Sequence, residues 1–155
     1  MSRQVLVVRG GALPRSSGLG RAHHDLVERL EDGQVDGYWL DNVIEHEVGG
    51  GAFTRWRRRR SEHPQRVAIA AETNVDILHI TDQEQAHLVP ENCNLPVSVT
   101  IHDLFHLEPR RIQTSHGHVN IGARSPGILR RQDLSHIRRG LARADLLICI
   151  SEATA

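Results

Sequence analysis

Lysine is absent from this chain of 155 residues: all 19 basic side chains are arginine, balanced by 19 acidic ones. That excludes Schiff-base and lysine-base chemistry. A net charge of zero leaves no global field to steer the chain toward nucleic acid or an anionic membrane. Cysteine is scarce. Cys93 and Cys149 are too few and too far apart for a disulfide framework or a cysteine zinc site. No apolar run approaches the ~20 residues of a membrane span. The N-terminus enters a strand pattern at Val5 without the charged start and apolar core of a signal peptide. These absences predict a soluble, cytoplasmic globular protein, and the length predicts one domain with a two-sided core.

Four short runs read as strands buried on both faces: QVLVVRG (4–10), VDILHIT (75–81), PVSVTIH (96–102) and ADLLICIS (144–151). VDGYWLD (35–41) is a weaker fifth. Near-continuous apolar character, rather than alternation, predicts parallel strands with helices on both sides. Helical spacing appears between them. Leu19, Ala22, Leu26, Val27 and Leu30 form one stripe, with Ser16 or Ser17 as cap and Gly33 as stop. Leu134, Ile137, Leu141 and Ala144 form another, with Ser125 as cap and Pro126 as the first helical residue. VGGGAF (48–53) reads as a flexible turn, the following arginine-rich segment as helix in pieces broken by Pro64, and 108–124 as a long loop. SEATA (151–155) reads as a helix cap and the first residues of a helix. The fold class expected is α/β, a Rossmann-like open parallel sheet with helices on both faces.

Polar groups gather where apolar strands end. His102 and Asp103 close a central strand, where open α/β sheets place ligand contacts. An imidazole there can donate to a phosphate or sugar hydroxyl, or move a proton. Otherwise His102 satisfies a backbone carbonyl and Asp103 caps a turn. Thr81, Asp82 and Gln83 end another strand and suit a hydroxylated ligand, unless Asp82 caps the short helix that follows. The 10–20 loop lacks the G-x-G-x-x-G spacing of a dinucleotide fingerprint, its glycines falling at 10, 11, 18 and 20. Its glycines and the helix N-terminus behind it still favour an anion over a merely long crossover. A helix terminus contributes at most ~2 kcal/mol against the ~8 kcal/mol of micromolar affinity, so this loop cannot hold a nucleotide alone. None of the eleven histidines has diagnostic metal-ligand spacing, and no metal is expected. RWRRRR (55–60) reads as a solvated face that can also touch phosphates, nucleic acid or acidic headgroups. Phe53 and Trp56 beside it do not make a stacking platform.

The pattern VLVVRGG…SSGLGR, then VDILHITDQEQAHLVP, PVSVTIHDLFHLEP and RADLLICISEATA, resembles the N-terminal domain of a glycosyltransferase family 4 enzyme of GT-B architecture. The resemblance runs in order over nearly the whole chain, 1–155, as a single acceptor-side domain that stops after residue 155. It implies two Rossmann-like domains facing across a cleft, with retaining, metal-independent transfer, no cofactor, and a nucleotide sugar as donor substrate. It also implies that Gly18 and Gly20 approach the donor diphosphate, that Ser151 and Glu152 face the cleft on the donor side, and that His102 lies near the donor sugar, with Asp103 as its structural or acceptor-side partner. Thr81, Asp82 and Gln83 would bound the acceptor. The family's donor domain has no counterpart here. The expected partners are a nucleotide sugar, a glycan or lipid-linked acceptor and a donor-domain subunit, with peripheral membrane contact and no nucleic acid. Two rivals stand beside this reading: a non-catalytic sugar- or phosphate-binding or partner-docking module and, more remotely, a nicotinamide-binding domain.

Overall fold

A computed structural model describes residues 2–122 and 125–152. Five strands form one parallel sheet in the order β2-β1-β3-β4-β7: β1 (Arg3–Gly11), β2 (Tyr38–His46), β3 (Ile77–Ile80), β4 (Val97–Ile101) and β7 (Leu146–Cys149). The fold is a Rossmann-like open α/β sheet. Because β1 is flanked by β2 on one side and β3 on the other, the order reverses between β1 and β3, a crevice-forming position in such sheets.

Alternation divides the two faces. Val5 and Val7 of β1 pack with Leu30 of α1 (Gly18–Glu31), while Leu6 and Val8 join Leu78, Ile80, Val99 and Ile101 beneath α3 (His63–Ala71) and α4 (Ile128–Arg143). Ser17 caps α1, its Oγ accepting from the Gly20 amide at 3.0 Å, and Gly33 ends the helix with φ of 65°. The stripe is narrower than its spacing predicts. Leu30 is buried and Leu26 and Val27 half-buried, but Ala22 and Leu19 are exposed and His23 takes a buried place instead.

Several expectations are corrected. The 144–151 strand is not buried on both faces: Leu146, Leu147, Ile148 and Ile150 are 42–59% exposed. The reason is coverage. β7 is the sheet edge, and α1 spans only the β1–β2 half of its face, leaving a groove of about 370 Å3 walled by Val5, Leu30, Ile77, Leu146 and Ile148. The weak fifth strand runs from Tyr38 to His46, later and longer than 35–41. Residues 108–124 contain an antiparallel hairpin, β5 (Arg110–Thr114) with β6 (Gly117–Ile121), rather than a loop throughout. Helix α4 begins behind Gly127 with no side-chain cap, so neither Ser125 nor Pro126 plays the predicted part.

Pro64 does not break the middle helix. α2 (Ala52–Arg57) continues through a π-helical turn, Arg58–Glu62, into α3. The wider turn lies where the proline ring would otherwise strike the carbonyl four residues back. Arg59 is consequently aimed inward. Its Nε and Nη2 grip Asp133 at 2.9 and 3.0 Å, and Nη2 also reaches the Glu84 carbonyl. Part of the arginine run therefore ties the π-helical turn to α4 instead of facing solvent. Residues 153–155 of the predicted terminal helix lie outside the described residues.

Candidate functional site

Every strand of the sheet is parallel, so all five carboxyl ends share one rim. That rim gathers Arg9 from β1, Glu45 from β2, Thr81, Asp82 and Gln83 after β3, and His102 after β4. His23 from α1 enters the same layer, with Nε2 3.8 Å from a Glu45 carboxylate oxygen. Arg9, His23, Thr81, Asp82 and Gln83 are all at most 5% exposed. Buried polar groups normally find hydrogen-bond partners, yet three atoms here have no such partner among the described residues: His23 Nδ1, Glu45 Oε2 and Thr81 Oγ1. These are the rim atoms whose hydrogen-bonding capacity the described residues leave unused.

Arg9 is the one buried cation among the described residues. Its Nε donates to the Gly11 carbonyl at 3.0 Å; burial pushes its pKa down, while the carboxylates of Asp82 and Glu45 act to raise it. An arginine nevertheless stays charged in a protein. Burial pushes His23 down to about 4, the Arg9 charge adding to the effect, so this imidazole is neutral at pH 7. Burial raises the Asp82 carboxyl, opposed by its hydrogen bond to the Glu84 amide, while the Glu84 carboxylate pushes it further up.

The predicted site residues fare differently. His102 stands at the rim, half-buried, but its Nε2 lies 3.0 Å from the Thr81 carbonyl. A carbonyl only accepts, so Nε2 carries the proton and Nδ1 is left as an acceptor in the neutral ring. Gln83 Oε1 accepts from the His102 amide at 2.8 Å, which pins β4's end to the β3 crossover. Asp82 Oδ1 caps the turn of 3-10 helix Gln83–Leu88 by accepting from the Glu84 amide, and Asp103 Oδ1 accepts from the Phe105 amide at 3.1 Å. Both aspartates thus serve turns. Of the glycines, Gly20 has a packing reason: a Cβ there would overlap the Pro14 carbonyl and crowd Ser17 Oγ, whereas one on Gly18 meets open space. Ser151 and Glu152 are exposed at the end of β7, beside the strand that carries His102.

Arg9, His23 and Glu45 escaped the sequence reading. A signal for Arg9 was present, because a charge interrupts VLVVRGG one residue before the glycine pair. His23 and Glu45 gave none, since their convergence depends on how α1 crosses β2. On the opposite face of β1, His63 Nε2 donates to the Arg9 carbonyl at 2.6 Å, and a cavity of about 210 Å3 opens between Gly11, His46, His63, Gln85 and Arg58. No group of three or more metal-ligating side chains is brought together among the described residues. Chemically, the rim offers one cation, a neutral imidazole and a free hydroxyl in a water-poor layer, a set that suits a hydroxylated or anionic ligand. Set against known proteins, the chain matches no family model, no curated protein and no solved structure.

Proposed function

We propose that the chain is the acceptor-side half of a retaining, nucleotide-sugar-dependent glycosyltransferase, one half of a GT-B fold that transfers only with a donor-binding half. The observation that carries this reading is the convergence of Arg9, His23, Thr81 and His102 at the carboxyl rim, next to the switch point between β1 and β3. In this reading Thr81 Oγ1 and His102 Nδ1 take sugar hydroxyls, and Arg9 faces the phosphate side. Gln83 holds the His102 backbone in place and Asp103 holds the turn that follows it, rather than touching substrate, as their hydrogen bonds support. Gly20 shapes the turn that leads to the donor. Glycosyl transfer proceeds chiefly by aligning donor with acceptor and stabilising the departing diphosphate. A nucleotide sugar, a glycan or lipid-linked acceptor, and a cytoplasmic setting with peripheral lipid contact complete the proposal.

The test is a transfer assay with the chain joined to, or mixed with, a donor-binding domain of this architecture. His102→Ala is expected to lower transfer at least ~10-fold, the scale of one lost charge-assisted or positioning contact. Full activity in that variant overturns the role given to His102.

A second reading, a non-catalytic sugar- or phosphate-binding module, is favoured by one observation: Asp82, Asp103 and the His102 Nε2–H are already engaged within the fold. Ligand binding at the rim with no transfer in the joined form selects it.

A further inference from the structure

The link from β3 to β4 contains no full crossover helix. Its 3-10 turn, Gln83–Leu88, is followed by irregular backbone to Pro96, so α3 and α4 stand apart with an open groove of about 780 Å3 between them. That size falls within the range of small-molecule pockets. The groove includes apolar surface from Ala68, Ala71 and Leu95, while Arg60, Arg139 and Arg143 supply a cationic wall beside His136. His136, Arg139 and Arg143 recur at i, i+3 and i+7, one face of α4.

These arginines differ from their neighbours. Arg59 and Arg130 are both held by Asp133, and Arg130 also by Glu84. By contrast, Arg60, Arg139 and Arg143 have no carboxylate within ion-pairing distance among the described residues, although Glu72 and Glu91 line the same groove. Among the described residues Arg139 bonds only to Ser135 of its own helix. Arg143 gives one Nη2 bond to the Val89 carbonyl at 2.8 Å, while its Nε is buried with no partner. Leaving a buried donor of a charged group unpaired is costly, and planar guanidinium groups match phosphate oxygens two at a time.

We propose that the groove between α3 and α4 binds a phosphate monoester, with Arg60, Arg139 and Arg143 meeting the phosphate and the surface of Ala68, Ala71 and Leu95 taking the organic body. The site is separate from the rim. It lies on the α3–α4 face of the sheet, whereas Arg9 shares the face of Val5 and Val7 under α1. It therefore stands or falls independently of the glycosyl-transfer reading. His136 is a built-in reporter: burial lowers its pKa, the charges of Arg60 and Arg139 lower it further, Asp133 opposes them, and Arg143 adds a smaller lowering. A bound phosphate neutralises those cations and so raises the His136 pKa.

The experiment follows the histidine ring nitrogens of the full chain by NMR during titration with phenyl phosphate, inorganic phosphate and phenol. Phenyl phosphate is expected to raise the His136 pKa and to bind several-fold more tightly than inorganic phosphate, with no response to phenol. Arg60→Gln and Arg139→Gln, which remove no bond between elements, are each expected to weaken binding about tenfold, or ~1.4 kcal/mol, with unchanged circular dichroism. His102→Ala is expected to leave the affinity as it was. The proposal is overturned if phosphate moves only the rim histidines, if phenol binds as well as phenyl phosphate, if the Arg60→Gln/Arg139→Gln double variant binds normally, or if no ring shifts at all.

Discussion

His79 provides the sharpest test of how this fold handles polar groups. It sits in β3 at 7% exposure, with Nδ1 2.8 Å from Ser98 Oγ and Nε2 3.3 Å from Thr100 Oγ1. Burial lowers its pKa from 6.5 to about 4. The unfolded chain therefore takes up the proton first. The stabilisation from keeping this ring neutral is complete above pH 6.5 and is lost as the pH falls toward 4. Between pH 7.5 and 5 that loss integrates to ~2 kcal/mol. His23, lowered to about 4, and His87, pushed by burial and then by Arg59 to about 3, add similar amounts over the same window. Together the three remove ~6 kcal/mol, a large share of the ~5–15 kcal/mol of a typical domain. Urea unfolding at pH 7.5 and 5.0, followed by far-UV circular dichroism, measures it. His79→Gln retains an amide for Ser98 and Thr100 but does not titrate, so its loss between the two pH values should be ~2 kcal/mol smaller than that of the parent chain. Carboxylates contribute equally to both proteins and cancel. Equal losses in the two would refute the burial argument for His79.

Three further outcomes are expected. Gly20→Ala, whose Cβ would overlap the Pro14 carbonyl, should destabilise by ~1–3 kcal/mol. Gly18→Ala, which meets open space, should be neutral or stabilise by ~0.5 kcal/mol, and similar melting curves for the two would refute the distinction. Asp133→Ala leaves Arg59 and Arg130 without their shared carboxylate and should cost ~2–3 kcal/mol in urea unfolding; a loss below ~0.5 kcal/mol, the range of ordinary surface substitutions, would show that the link between the π-helical turn and α4 is not held there. Phe53 and Trp56 stack at 6.0 Å between centroids, 70% and 54% exposed, beside the exposed Arg55 and Arg57. If this surface meets lipid, the chain co-sediments with anionic but not neutral vesicles, and Phe53→Ser/Trp56→Ser abolishes it; equal sedimentation of the variant would remove the lipid contact from the proposed function.

What the sequence disclosed was period and termination, and these placed β1, β3, β4 and helix α1 within a few residues. It did not disclose coverage. LLICI has the same composition as a strand buried on both faces, yet at the sheet edge nothing lies over Leu146 and Ile148 among the described residues, because α1 is spent on β1 and β2. The π-turn before Pro64 was equally hidden: a proline marks a disturbance, but only packing decides whether the helix stops or widens. At the rim, His102, Thr81 and Asp82 stand just past strand ends, as the apolar pattern implied. Which of their atoms are already bonded is a tertiary fact: one carboxylate oxygen each of Asp82 and Asp103 accepts from a turn amide. His23 and Glu45 come from elements whose crossing angle no local pattern encodes.

Charge at the rim explains why the proposed reading calls for a second lobe. A departing nucleoside diphosphate carries more than one negative charge, and its stabilisation needs preorganised positive groups or donors in a water-poor site. Among the described residues this rim supplies one such cation, Arg9, and the Asp82 and Glu45 carboxylates already act on it. His23 is held neutral, and the Nε2–H of His102 is spent on the Thr81 carbonyl. What remains, Thr81 Oγ1 and His102 Nδ1, are hydrogen-bonding atoms suited to hydroxyls, which orient a sugar but do not offset a diphosphate. On the proposed reading the balance therefore comes from the facing half. The isolated chain should then bind hydroxylated ligands weakly, and Arg9→Gln should impair the joined enzyme more than it impairs ligand binding by the chain alone.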